Sequence, residues 1–178
     1  MTAVNSVGIV GSGVAGLAAA IQLAKAGIAV DLFEAKSELS TQGSGITLQG
    51  NALRVFDALG AWEDIAAAGS PFVGLNLRAP GPGAPIVAQL PDVKSGGPDY
   101  PSTMGMPRPE LARILLEHAL RAGARVHFGA KVTGLTQEEG RVHLDVEGAD
   151  GGSYDLVIGA DGLNSVVRDL IGIETKPQ

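Results

Sequence analysis

Two places in the sequence gather residue types that could hold a phosphate-bearing ligand. The first is Gly11-x-Gly13-x-x-Gly16, in the stretch VGIVGSGVAGLAAAIQLAKAG, with Glu34 standing 18 positions after Gly16. A glycine at 11 permits a tight turn, one at 13 lets a pyrophosphate approach the main chain, and one at 16 lets helix and strand pack closely. Val14 and Ala15 open a helix whose free N–H groups and positive dipole end favour phosphates. An acid at the end of the next strand accepts hydrogen bonds from ribose hydroxyls and disfavours a 2′-phosphate. Ala35 and Lys36 follow it in the same expected site. The spacing points to a dinucleotide with the adenosine of FAD or NAD rather than NADP, and does not choose between those two.

The second place is Asp161-Gly162, in DLVIGADGLNSVVR, Asp155 to Arg168. It reads as another strand, turn and helix. Gly159 and Ala160 leave room for a second backbone or a ligand, Gly162 permits the turn, and Asn164 or Ser165 can cap the helix. Asp161 has two readings of equal standing. It is a turn aspartate accepting N–H groups of its own helix, or it contacts a ligand. A bare carboxylate repels a pyrophosphate, so a ligand contact would run to hydroxyls, water or an arginine. Arg168, two helical turns on, is either part of that contact or paired with an acid at the core edge.

The elements that must position these residues follow from periodicity and punctuation. Ser6 to Val10 is a short apolar strand, Val14 to Ala26 an Ala-rich helix ended by Gly27, and Ile28 to Phe33 a second strand, which makes a parallel βαβ unit. The polar, Gly-rich KSELSTQGSGITLQG is expected to be a loop. Helices are expected at Asn51 to Leu59, Ala61 to Ala68 and Pro109 to Ala122, the last with Leu111, Leu115 and Ala119 on one face. Phe72 to Leu90 is a hairpin around a Pro/Gly turn, followed by an irregular loop. Arg125 to Phe128, Lys131 to Gln137 and Arg141 to Glu147 are expected to form an antiparallel meander. The strand Leu156 to Gly159 and the helix Ser165 to Ile171 complete the second motif.

Composition narrows the function classes. The 178 residues carry 45% hydrophobic and 18% charged residues, a globular balance rather than a disordered one. The 26 glycines are roughly twice the usual share of about 7%. A net charge of −6 without a Lys/Arg cluster, and 4% aromatic residues, speak against nucleic acid. The absence of cysteine excludes disulfides, thiolate metal sites and cysteine catalysis, and fits the cytoplasm. No basic leader region opens the chain, and the apolar run Val14 to Ile21 is far shorter than the ~20 residues that span a bilayer, so neither a signal peptide nor membrane insertion is expected. His118 sits on the amphipathic helix. His127 and His143 alternate with apolar neighbours and are expected to face solvent. No histidine pair has a metal spacing, and no metal is expected. Trp62 is expected in the core, and Tyr100 as a packed loop residue in preference to a pocket residue.

With both motifs in this order, the sequence resembles the flavoprotein aromatic hydroxylases of the para-hydroxybenzoate hydroxylase type. LVIGADGLNSVVR resembles their second fingerprint, with Asp161, Gly162, Ser165 and Arg168 in place and Asn164 where a charged residue is preferred. GSGITLQGNALRVFDALG resembles the loop and helix beside the flavin, which implies contacts from Gly45 and Ile46. MGMPRPELARILLEHA resembles the helix whose first arginine reaches the flavin side, here Arg108. VHFGAKVTGL resembles the strand whose main chain touches the adenine, here Val132. Where some relatives carry an arginine before the Gly-x-Gly-Ile loop, this chain has Gln42 and Gly43.

The resemblance implies an α/β fold: a Rossmann-like FAD-binding domain with a parallel sheet, an antiparallel meander and part of a second, substrate-domain sheet. Residues 1–70 and 101–178 would form the FAD-binding domain, and 71–100 a hairpin belonging to the substrate domain. It implies FAD as cofactor and NAD(P)H as co-substrate, with one oxygen atom of dioxygen passing to a small aromatic or heteroaromatic ring. No catalytic acid or base is identified. The family's third fingerprint, a Gly-Asp motif, lies in the later half of its members and is not found, so a second chain or segment is expected to supply that half. Two other readings stay open: a flavin-dependent reductase or oxidase of the same fold, and a non-catalytic half-flavoprotein subunit.

Overall fold

The computed structural model describes residues 4–39, 43–91 and 93–174; Gln42 lies outside them. The chain forms two compact bodies, residues 1–42 with 111–178, and residues 43–110.

The first body is built on a parallel sheet of β1 (Ser6–Val10), β2 (Ala29–Glu34), β8 (Arg125–Phe128) and β12 (Leu156–Gly159), in the order β12-β1-β2-β8. The apolar run of β1 is buried from Val7 onward because it is an inner strand, paired on both sides. Helix α1 (Val14–Lys25) crosses from β1 to β2 and packs on both, burying Gly16, Leu17, Ala20 and Ile21. Beside this sheet lies a meander of β9 (Val132–Glu138), β10 (Arg141–Val146) and β11 (Ala149–Tyr154). Its Val132, Leu144, Val146 and Tyr154 share a core with Val10, Phe33 and Val167. The last of these belongs to α5 (Val166–Leu170).

The second body contains β3 (Gly45–Gln49), α2 (Gly50–Ala58), α3 (Trp62–Ala68), β4 (Ser70–Phe72), β5 (Leu75–Arg78), β6 (Ile86–Leu90) and β7 (Thr103–Pro107). Strands β3, β7 and β4 form one antiparallel sheet, and β5 with β6 a separate hairpin. Helix α4 (Arg108–Arg121) begins in this body and continues in the first, where Leu111, Ile114, Leu115 and Ala119 are buried as its periodicity requires.

Three expectations about strands are corrected. Arg125–Phe128 is not the first strand of the meander: it follows α4 and joins the parallel sheet beside β2, with Asp31 opposite Arg125. A strand that follows a helix returns parallel to the sheet, and here a bidentate Arg125–Asp31 pair at 2.8 and 2.6 Å holds the register. The meander's third strand is instead β11, whose sequence ADGGSY is poor in strand-forming residues. The expected loop ending at Gly50 contains β3, and its partner β7 forms just after the irregular loop, over residues for which no element is expected. Each is too short to declare itself alone, and they form by pairing with each other from Gly45↔Pro107 to Gln49↔Thr103.

His127 is exposed, as expected, and still makes contacts on that surface. It stacks on Phe33, with ring centroids 5.1 Å apart, and its Nε2 lies 2.7 Å from Asp31. His143 is partly exposed and lies 3.2 Å from Ser153 Oγ. Trp62 is half-buried and meets the Tyr100 ring edge-on, while the Tyr100 hydroxyl donates to Asp57, so Tyr100 is a packed loop residue.

Candidate functional site

The turn after β1 is set by its glycines. Gly11 has φ +102°, and a Cβ there would stand 2.5 Å from the Ala160 carbonyl oxygen. The first motif is therefore packed directly against the second, and the Ala160 N–H donates to Val10 at 2.8 Å. A Cβ on Gly16 would stand 1.9 Å from the Gly11 carbonyl oxygen, so this glycine lets α1 close on the turn. Around Gly13 the space is open: beyond its immediate chain neighbours, no described atom lies within 4 Å of where its Cβ would be. Gly13 is also the N-cap of α1, without a side-chain cap and without an acid in the first turn. The N–H groups at the start of α1, around Val14 and Ala15, are left to an incoming anion.

Glu34 ends β2 within reach of this turn. Its Oε2 accepts from the Ser12 N–H at 2.9 Å and the Ser12 hydroxyl at 2.7 Å, and its Oε1 accepts from the Lys36 N–H at 3.0 Å. Burial alone would raise its pKa, and is the largest single influence. The bonds from Lys36 and Ser12 together outweigh it and hold the carboxyl below its ordinary value. Three acceptor positions are used of about four on a carboxylate, which leaves room for a hydroxyl on Oε1. Ser12 is a residue that the motif reading passed over, since it occupies an unspecified position of Gly-x-Gly. Its hydroxyl beside a helix start was the available signal.

Gly11, Glu34, Ala35, Val132 and Asp161 line one cavity of about 220 Å³. Gly13, Val14, Ala15 and Gly16 form the adjoining helix start, the Lys36 N–H bonds to Glu34 on the cavity wall, and Gly162, at φ +82°, makes the turn after Asp161. Asp161 lines the cavity, but its carboxylate is committed elsewhere. Oδ1 accepts from the Ser165 hydroxyl and Oδ2 from the Val167 N–H at 3.0 Å, while Ser165 Oγ accepts from the Arg168 N–H at 3.0 Å. Burial pushes its pKa up, and these bonds more than reverse that. Of the two readings of Asp161, its side chain takes the helix cap. Arg168 donates to the Leu163 carbonyl at 3.0 Å and lies 3.6 Å from Asp169.

The remaining expected residues lie in the second body. Gly45 and Ile46 begin β3 and pair with Pro107 and Met106 of β7. Arg108 follows directly as the first residue of α4, exposed, with its N–H directed at the Ser44 carbonyl. These three residues are thus gathered at one end of one strand pair.

A dinucleotide fits the donor set of the first body: an anion-binding helix start with open space before it, beside a carboxylate with spare acceptor capacity. Among the described residues, no helix is long and apolar enough to cross a membrane. The sequence matches the family described as FAD binding domain over residues 4–178. It is 33% identical to aurachin C monooxygenase/isomerase of Stigmatella aurantiaca, over 96% of this chain and 43% of that protein. It is 34% identical to 3-amino-4-hydroxybenzoate 2-monooxygenase of Streptomyces cremeus, over 91% of this chain and 41% of that protein. Among solved structures it resembles the tetrameric form of 2-methyl-3-hydroxypyridine-5-carboxylic acid oxygenase, with a TM-score of 0.76, 30% identity, and coverage of 96% of this chain and 43% of that one. The chain spans about two fifths of the length of these relatives. A family match along nearly the whole chain, on a fold that leaves a helix start open beside Glu34, places this chain in the FAD-binding domain family, and its relatives include proteins named as FAD-dependent monooxygenases.

Proposed function

We propose that this chain is the cofactor-binding part of an FAD-dependent monooxygenase that hydroxylates a small aromatic or heteroaromatic substrate with NAD(P)H and dioxygen. The observation that carries the reading is the joining of Gly11, Glu34, Val132 and Asp161 around one cavity, beside the uncapped start of α1, in a chain of this family. The N–H groups at Gly13, Val14 and Ala15 would hold the pyrophosphate, Glu34 the ribose hydroxyls, and the Val132 main chain the adenine. Gly45, Ile46 and Arg108 would lie on the flavin side. Asp161 and Gly162 would serve through their main chain, because the Asp161 carboxylate is engaged by α5. When bound, FAD would supply the redox chemistry between NAD(P)H and dioxygen, and these residues would position it and exclude water. The relatives named above act, by their names, on an aurachin, an aminohydroxybenzoate and a hydroxypyridine carboxylic acid, which supports an electron-rich ring as substrate.

The same reading includes a second chain or segment. Strand β12 is an edge strand, and a cleft of about 390 Å³ runs beside it, lined by Leu156, Val157, Val167 and Ile171. Arg168 Nε is buried there with no hydrogen-bond partner among the described residues. Segment 71–100 would add to the substrate domain that the further segment completes. A chain without cysteine suits a cytoplasmic enzyme.

The test is to supply FAD and the complementary segment, then follow flavin absorbance and the fate of isotopically labelled dioxygen. Labelled oxygen in a hydroxylated ring is the expected result. Peroxide as the sole product from every phenolic or pyridine substrate would make the enzyme an oxidase. A lack of flavin absorbance would remove the cofactor assignment.

A further inference from the structure

The segment Ser95–Ser102, which leads into β7, is fastened to α2 by polar and main-chain contacts. The Asn51 N–H donates to Ser95 Oγ at 3.2 Å, the Gly50 N–H donates to Ser102 O at 2.9 Å, and the Tyr100 hydroxyl donates to Asp57. Between these latches Gly96 lies on Gly50: a Cβ on Gly96 would stand 2.2 Å from the Gly50 carbonyl oxygen, and one on Gly50 would stand 2.7 Å from Gly96 N. The latches do a definite task. Gln49 provides no side-chain cap for α2, so the segment supplies acceptors to the first two N–H groups of the helix.

Little apolar burial backs those bonds. Ser95, Pro98 and Asp99 are exposed, Tyr100 and Pro101 are half-buried, Gly96 and Ser102 are buried, and among the described residues the ring contact is Tyr100 on Trp62 at 5.5 Å. The Ser95 and Tyr100 latches are exposed, and segments secured largely by exposed hydrogen bonds over little apolar area open locally at low free energy. Gly96 and Gly97, the latter at φ +99°, provide the bend. Val93, two residues upstream, walls a cavity of about 250 Å³ together with Phe72, Leu75, Leu90 and the polar Thr47 and Gln49.

We propose that Ser95–Ser102 is a strap that opens as a unit, uncapping α2 and drawing the Val93 wall from this cavity, and so gates the entry of a small apolar molecule. The gating role rests on the reading of an enzyme acting on small aromatic substrates. The opening itself does not.

The chain has no cysteine, so Asn51→Cys with Ser95→Cys can place a single disulfide across a latch whose side-chain oxygens lie 3.5 Å apart. In the FAD-loaded enzyme, oxidation should slow tryptic cleavage after Lys94 and exchange of the Gly50 and Asn51 amides about tenfold, and reduction should restore both. Equal protection in the two redox forms overturns the strap. Gly96→Ala, which forces the strap off Gly50, should speed the same cleavage. If the cysteine pair does not cross-link, unchanged cleavage in Gly96→Ala overturns the proposal by itself. Locking should also lower kcat/KM for a phenolic substrate about tenfold with kcat changed less, and an unchanged kcat/KM in the locked enzyme overturns gating. An enzyme without flavin-dependent turnover even when reduced would overturn the functional reading and gating with it, while the cleavage and exchange measurements still decide the strap.

Discussion

The two strand–turn–helix motifs lie side by side and are built to opposite ends. Strands β1 and β12 are parallel neighbours, with Val10 opposite Gly159, and the turns that follow them touch at Gly11 and Ala160. The first turn keeps its helix start bare: Gly13 offers no side chain, and the nearby acid comes from β2 and is held aside by Ser12. The second turn closes its own helix start, with Asp161 and Ser165 accepting the N–H groups of Val167 and Arg168. The same topology is thus an anion site in one place and a self-satisfied support in the other. What decides is whether a carboxylate stands on the helix axis or beside it.

That contrast can be broken from either side. The largest effect is expected at Gly16. Gly16→Ala drives a Cβ into the Gly11 carbonyl and should destabilise the fold by about 3 kcal/mol, read by denaturant unfolding; an unchanged midpoint would mean that the turn relaxes at no cost. Gly13→Asp converts the first motif into a copy of the second. With open space around Gly13 the fold should survive, while a carboxylate on the pyrophosphate position should weaken FAD binding by about 100-fold, or roughly 3 kcal/mol, measured by flavin fluorescence titration. Wild-type affinity in that variant would disprove the assignment of the α1 start.

Asp161→Ala removes one of the two acceptors at the start of α5, leaving the Ser165 cap, and should cost about 1 kcal/mol of stability with FAD affinity nearly intact. A large loss of affinity at unchanged stability would return the carboxylate to the ligand. Ser12→Ala frees Glu34 to wander and should cost about 1 kcal/mol or less of stability, with a loss of FAD affinity of a few-fold in the same titration.

The acid limb sharpens the comparison further. Glu34 and Asp161 both have folded pKa values below their unfolded ones. The folded state therefore binds fewer protons. The stability they contribute is fully present above about pH 4 to 5, and is lost as pH falls through the folded values. Asp161→Asn and Ser12→Ala should each flatten part of that limb, followed by unfolding midpoints between roughly pH 2 and 6.

Glycine spacing and the acid after the second strand were readable because each answers to a local demand: a turn, a close approach, a helix end. The periodicity of α4 was readable for the same reason. What escaped was set by partners far along the chain. Arg125–Phe128 has the composition of any short strand, and it became part of the parallel sheet because Asp31 and β2 receive it. ADGGSY became β11 because β10 offers it a ladder. GITLQ and TMGMP are strands through each other.

By itself, the sequence determined that a helix start at Gly13 would be left open beside an acid, since glycine cannot cap and Glu34 ends the adjacent strand. The tertiary structure alone decided which way the carboxylates turn. Glu34 is aimed by Ser12 across the β1–β2 pair, and Asp161 by the N–H groups of α5. A side chain's direction depends on the donors that folding brings within about 3 Å of it, and no spacing along the chain states where those donors will stand.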